Sequence, residues 1–426
     1  MGCFAIGQVR GFHYLSIVLV AHFIHILIYK PMKTCGLDVH KDNVFCAIYN
    51  GNSYEEVEIY STLTSSLFAM GKKLLSCGVA HIAMESTGIY WIPVWNVLES
   101  MGFDLLLVNP YLIKQMPGRK SDIKDSQWIA ALLHKGLLRG SLVPDVLIRE
   151  LRCYSRKYMK LQQRQTSVLS EMERTLEMMN IRITSFVSNI SGKSILRVIQ
   201  SIISGQEDAK ELEKCIHGRI RNTHKEKIYD SLVGFITAHH RFTLELLYDE
   251  YELLQSQSAR CLSKMNDLVE QHYAEELALL KTLPGINTLS AMIILAETGA
   301  DMNAFENSGK FAGWTGLRPR NDESAGKYKS QSTTKGNRYL RSILVQVAWA
   351  ASRMKGSYFM EKYNRLAIRK SRKKALVAIA RKITVIIWYV LSQRKGYNPD
   401  LVPVYDKAKM EAKIKYHNSE IMRLER

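Results

Sequence analysis

The sequence predicts an α/β domain followed by a mostly α-helical remainder, on three observations. Between residues 34 and 108, short apolar segments of strand length recur, separated by polar turns and two amphipathic stretches. From residue 146 onward the apolar spacing becomes threes and fours, the period of helices that bury one stripe. The 426 residues are 46% hydrophobic and 23% charged, a balance that excludes a disordered chain and leaves room for two or three domains.

Residues 1–31 stand apart as an apolar N-terminal extension, in which Phe12 to Tyr29 is long enough to score as a membrane span or signal core. Pro31, Met32 and Lys33 follow at once with no small-residue cleavage site, so Met32 reads as a start and the extension as non-functional. A buried or interfacial helix and a membrane anchor are the alternatives; no membrane partner is expected. Residues 32–145 then read as one domain. Strands are expected at 34–37, 44–49 and 57–60, a helix at 67–75, a strand at 81–84, a helix at 89–100, a strand at 105–108 and a helix opening near Ser121. Three antiparallel strands followed by alternating helix and strand is the order of a ribonuclease-H-like domain.

Charge points to the partner. There are 59 Lys and Arg against 40 Asp and Glu, a formal +19, and a cationic surface of that size favours polyanions, nucleic acid first among them. The seven cysteines are scattered and form no C-x-x-C pair, which argues against a disulfide framework or zinc ribbon and suits the reducing cytoplasm.

Four acids in the α/β domain are candidates for chemistry. Asp38 follows the first expected strand in an apolar segment, Glu85 ends the fourth, and Asp122 and Asp125 open a helix three residues apart on one face. Two magnesium ions about 4 Å apart need several oxygen ligands, and together they stabilise the attacking and leaving oxygens of a phosphodiester. The plainer reading of Asp122 and Asp125 is charge complementing a helix N-terminus capped by Ser121. Asp38 and Glu85 could likewise be loop carboxylates, and it is the joint placement of the four that favours a metal site.

The segments Cys35-Gly-Leu-Asp38-Val-His-Lys-Asp, Glu85-Ser-Thr-Gly-Ile-Tyr90, Val108-Asn-Pro110 and Lys120-Ser-Asp122-Ile-Lys-Asp125 resemble the DEDD transposases of the IS-one-ten insertion-sequence family. The resemblance implies a RuvC-like N-terminal domain whose Asp38, Glu85, Asp122 and Asp125 bind Mg2+ (or Mn2+). A second block, Phe311 to Lys327 followed by Thr334-Lys-Gly336-Asn-Arg338-Tyr-Leu-Arg341, resembles the C-terminal transposase domain of the same family. There the serine after the Pro-Arg segment is the nucleophile, and it falls on Ser324. From the residues alone Ser324, Ser330 and Ser332 are ordinary loop serines. The acidic Glu323 beside Ser324 departs in character from a phosphate-attacking site, which keeps Ser330 and Ser332 as alternatives.

The remaining segments are organised around these blocks. Residues 146–278 form a helical coiled-coil linker, with a heptad-like seam through Leu147, Leu151, Tyr154, Tyr158, Leu161, Val168, Met172, Leu176 and Met179. This seam fits either a hairpin within the chain or a contact between subunits, and the resemblance, which implies a homodimer or homotetramer with a composite site, favours the second. Residues 279–360 form the C-terminal transposase domain. It opens with Leu283-Pro284-Gly285-Ile286 before an apolar helix, a helix-hairpin-helix-like element that would bring backbone N–H groups to phosphate or would simply pack. Residues 361–426 form a basic C-terminal tail, and residues 351–426 hold 19 Lys and Arg against 6 Asp and Glu. Arg119, Lys120, Arg318, Arg320, Lys327, Lys335, Arg338 and Arg341 are the candidate nucleic-acid contacts.

The expected activity is therefore a DNA transposase that cuts, exchanges and rejoins the ends of an insertion sequence. By resemblance a structured bridge RNA guides it. A site-specific DNA invertase, a RuvC-like junction nuclease that uses water, and a DNA-binding descendant of a decayed transposase are the competing readings.

Overall fold

The computed structural model describes residues 33–85, 88–110, 121–187, 189–224, 226–320, 322–324, 327–330, 332–399 and 407–425. The chain divides into two compact units, Met1–Val143 and Pro144–Arg426. The N-terminal extension lies outside the described residues.

The first unit is built on a five-stranded sheet of order β3-β2-β1-β4-β5. Strands β1 (Lys33–Val39), β2 (Asn43–Tyr49) and β3 (Glu58–Ser61) form an antiparallel meander. Strand β4 (Val79–Glu85) runs parallel to β1, and β5 (Asp104–Val108) parallel to β4. Alternation along the strands sorts residues to two faces. Cys35, Leu37, Ile82 and Met84 share a core with Leu67, Met70 and Leu74 of α1 (Thr64–Ser76) and Val94 and Leu98 of α2 (Trp91–Ser100). Ala83 instead meets Ile129 of α3 (Asp122–His134), and the Thr34 hydroxyl donates to the Ala130 carbonyl at 3.0 Å. Strand β1 is thus covered on both faces, which explains why it reads as a nearly continuous apolar run. Three antiparallel strands, two parallel crossovers and a helix on each face are the ribonuclease-H-like arrangement. Asp38 lies inside β1 rather than after it, because pairing with β2 continues to Val39 opposite Val44.

The second unit opens with the long helix α4 (Val146–Met178). Asp145 caps α4 by accepting from the Ile148 amide at 2.9 Å. The short helices α5 (Lys193–Ile203), α6 (Ala209–Lys214), α7 (Gly218–His224) and α8 (Glu226–Leu232) precede the 35-residue α9 (Ala238–His272). Leu161, Val168, Met172 and Leu176 of α4 share a core with Leu244, Tyr251 and Leu254 of α9 and with Ile195, Val198 and Ile202 of α5. Much of the apolar stripe on α4 is therefore satisfied within the chain.

Six further helices follow: α10 (Ala274–Lys281), α11 (Thr288–Thr298), α12 (Ser308–Trp314), α13 (Arg338–Ala351), α14 (Tyr358–Arg369) and α15 (Arg372–Gln393). A last helix, α16 (Lys407–Leu424), closes the described chain. Helix α15 packs against α12, α13 and α14, burying Ala375, Ile379, Ile383 and Ile387. Within the basic C-terminal segment this helix is therefore a core element. Among the described residues α15 is the one helix long and apolar enough to cross a membrane, and its buried face accounts for that composition. Gly285, at φ +87°, turns between α10 and α11, and a Cβ there would meet the Val347 carbonyl of α13 at 2.6 Å. The glycine serves close packing of the turn on α13.

Candidate active site

The parallel register pairs Leu37 with Met84, so Asp38 and Glu85 are the next residues along neighbouring central strands. Asp122, in the first turn of α3, comes to this end of the sheet, its Oδ1 3.7 Å from Nε2 of His40, and Asp125 stands three residues further along the same turn. Ser121 caps that helix, its hydroxyl accepting from the Lys124 amide at 3.4 Å, as the plainer reading of this segment expects. Asp38 is only 6% exposed. The Asp122 side chain is 52% exposed, and Asp125 is half-buried.

Between Asp38 and Asp122 stands a residue that the sequence reading assigned no role. Nε2 of His40 lies 3.2 Å from Oδ2 of Asp38 and 3.7 Å from Oδ1 of Asp122. The β1–β2 turn places it there, the His40 amide donating to the Asn43 carbonyl at 2.9 Å. Asp38, His40 and Asp122 can each offer a ligand atom, and the three atoms lie within 4.8 Å of one another. Burial, opposed by His40 and reinforced by the negative charges of Glu85 and Asp122, pushes the Asp38 carboxyl up to about 6. A buried carboxylate among further carboxylates is short of positive charge. An oxygen-rich set with one imidazole fits Mg2+ or Mn2+ in the chemistry of its donors.

The seat of α3 on the sheet is Gly36. A Cβ at that position would fall well inside contact distance of the Ser126 carbonyl and the Ala130 amide, both backbone atoms of α3. Gly36→Ala is expected to push the helix bearing Asp122 and Asp125 off β1 and to destabilise the protein by about 3 kcal/mol or more, the upper range for overpacked cores, because backbone cannot rotate away. Thermal unfolding of the full chain checks this, and an unchanged Tm would show that α3 does not rest on the glycine.

Ser324 ends strand β6 (Asp322–Ser324), which pairs antiparallel with β7 (Lys327–Ser330), Ser324 facing Lys327 across the register. It thus stands at the turn end of a two-stranded hairpin. The root of the hairpin is tied by the Arg320 amide to the Ser332 carbonyl at 3.0 Å and by the Thr334 amide to the Arg318 carbonyl at 2.9 Å. Arg318, Arg320 and Lys335 are exposed around this root. Arg338 is exposed at the start of α13, its guanidinium 4.8 Å from the Tyr339 ring centre, and Arg341 is half-buried one turn on. Arg119 and Lys120 lie outside the described residues. Lys327 is placed by its backbone in β7.

Strand order defines the first unit as a ribonuclease-H-like α/β domain, with Asp38 and Glu85 on neighbouring central strands, joined to a helical unit that carries a serine hairpin. Two transposase family models match the chain. Residues 35–181 match the family model of IS110 DEDD transposases, and residues 277–364 match the model described as transposase IS116/IS110/IS902 family. The Sinorhizobium fredii transposase y4pF/y4sB is 32% identical over 140 residues, spanning 30% of this chain and 35% of that protein. The transposase for insertion sequence element IS1111A of Coxiella burnetii is 22% identical over 377 residues, 86% of this chain and 92% of its own length. A pilin gene-inverting protein of Moraxella bovis is 29% identical over 124 residues, covering 28% of this chain and 38% of that protein. Among solved structures, Thermus thermophilus RuvC aligns over 26% of this chain and 100% of its own, with a TM-score of 0.22 at 12% identity. The chain belongs to the IS110 (IS-one-ten) family of DEDD transposases.

Proposed function

We propose that the chain is a DNA transposase that cuts, exchanges and rejoins DNA for the movement of an insertion sequence, with Ser324 as nucleophile. The observation that carries this reading is the convergence of buried Asp38 with His40 and Asp122 at the strand ends of the first unit. Asp38, Glu85, Asp122 and Asp125 would hold a divalent cation, with His40 beside Asp38 and Asp122. Such a cation supplies positive charge to phosphate oxygens and to a departing oxygen. In the step assigned to Ser324, phosphorus exchanges its bond to a deoxyribose oxygen for a bond to Oγ. The serine proton leaves and the departing alkoxide takes one up, so the phosphodiester energy is kept for rejoining. Arg318, Arg320, Lys327, Lys335, Arg338 and Arg341, with Arg119 and Lys120, provide cationic contacts to the phosphate backbone.

The partners are element and target DNA, a structured guide RNA and further copies of the chain, in the cytoplasm. The formal +19 supports the first two. Exposed Phe242, Leu246 and Leu253, spaced by four and seven on α9, support a homodimer or homotetramer. Similarity to a pilin gene-inverting protein favours, as a second reading, site-specific inversion by the same chemistry.

Full-length protein incubated with Mg2+ and a supercoiled plasmid carrying the element's ends and flanking non-coding RNA is expected to give a covalent protein–DNA adduct on a denaturing gel, and EDTA to prevent it. Cleavage without adduct would place the chain with water-using nucleases. Binding without cleavage would mark a decayed transposase.

A further inference from the structure

Glu297 is the one ionisable residue of α11, and it is 0% exposed. Burying a carboxylate is costly unless it is paired and hydrogen-bonded, and this one is engaged from two directions. From α4, Nε and Nη2 of Arg156 donate to Oε1 and Oε2 of Glu297, each at 2.8 Å. From the start of α13, Nδ2 of Asn337 donates to Oε2 at 2.5 Å. One turn before Arg156, Arg152 donates to the carbonyls of Ala296 and Glu297 at 2.9 and 2.8 Å, closing the end of α11. Burial lowers the Arg152 pKa, whereas the hydrogen bond to Glu297 raises that of Arg156.

Asn337 joins this network to the serine hairpin. Its Oδ1 accepts from the amides of Tyr339 and Leu340, capping α13, and its own amide donates to the Trp314 carbonyl at 3.3 Å. Three residues earlier the Thr334 amide bonds to the Arg318 carbonyl at the hairpin root, and the Thr334 hydroxyl donates to the Gly313 carbonyl at 3.2 Å. Between them Gly336 lies so close to Gly316 that a Cβ would strike the Gly316 backbone. The path from α4 to the hairpin therefore runs through directed bonds and backbone contact.

We propose that Glu297 is a positioning residue for the reaction: with Arg156 and Asn337 it fixes the hairpin that carries Ser324 against α4. This rests on the reading of Ser324 as nucleophile. A buried ion pair adds little to stability over an apolar pair of the same volume, because desolvation offsets the attraction. What the two-pronged guanidinium–carboxylate contact adds is direction. In-line attack on phosphorus needs that direction, since a misplacement of about 1 Å costs roughly 100-fold in rate.

The test compares full-length wild type with the double variant Arg156→Met/Glu297→Met and with Glu297→Gln. Hydrogen exchange is measured at the Arg320, Thr334 and Asn337 amides without DNA, alongside adduct formation and DNA affinity. The double variant, which also leaves Arg152 and Asn337 without the carboxylate they face, is expected to lose some Tm but to stay folded and keep its DNA affinity, to exchange faster at those amides, and to form adduct roughly 100-fold more slowly. Glu297→Gln, which keeps the side-chain shape, is expected to lie between it and wild type. If the double variant fails to fold, Glu297→Gln decides alone. Wild-type exchange and wild-type adduct rates in a folded variant would overturn the positioning role. Faster exchange in the variants, with no adduct from wild type, would instead overturn Ser324 as nucleophile and leave the network without a catalytic meaning.

Discussion

Ser324→Ala is expected to leave no covalent protein–DNA adduct and to lower DNA strand exchange by roughly four orders of magnitude or more, the scale on which loss of a nucleophile registers in serine-dependent sites. The hydroxyl is the one group in the assigned step whose oxygen becomes bonded to phosphorus, so no neighbour replaces it by electrostatics alone. The variant should fold and bind DNA as wild type does, because Ser324 stands at the turn end of β6 while the hairpin root is held by Arg318, Arg320, Ser332 and Thr334. Adduct on a denaturing gel and DNA affinity, measured together, check both halves. Adduct persisting at wild-type level would pass the role to Ser330 or Ser332.

Asp38→Asn is expected to move activity and stability in opposite directions. Strand exchange should fall by about 1000-fold or more, as the buried carboxylate is lost from the cation site. In EDTA at pH 7, however, the variant should be the more stable protein. Wild-type Asp38 carries a carboxyl raised to about 6 from an ordinary value of 3.8, so at neutral pH it is ionised at a cost. About two pH units correspond to roughly 3 kcal/mol, which the amide does not incur. The sign with pH follows from linkage: the wild-type penalty is complete above the folded value near 6 and vanishes below the unfolded value of 3.8. The Tm advantage of the variant should therefore be largest above pH 6 and close as pH falls toward 4. Mg2+ or Mn2+ should raise the Tm of wild type more than that of the variant. A variant less stable than wild type in EDTA at pH 7 would show that Asp38 is not a strained, cation-awaiting carboxylate.

The first unit was largely readable because its strands are short, apolar and punctuated, and each expected strand has its counterpart between β1 and β5. The positions of Asp38 and Glu85 followed from that pattern, although pairing with β2 draws Asp38 inside β1. His40 escaped notice although it sits two residues from Asp38, since its approach to Asp122 depends on the β1–β2 turn. Glu297 was visible as an acid in an apolar run, but its partner Arg156 is 141 residues away and nothing local joins them. In α15 the four-residue spacing of Ala375, Ile379 and Ile383 made an apolar helix face legible beside the basic residues 369–374, but not which helices it packs against.

The bare backbone of Gly36 under α3 has a consequence for how the protein can change over generations. A spacing set by side chains drifts whenever the core repacks, but one set by main chain against main chain has no rotamers to adjust. The separation between the β1 carboxylate and those of α3 should therefore survive extensive substitution in the surrounding core. Lineages could diversify Leu67, Met70 or Val94 freely by volume-conserving swaps while this single position admits no alternative.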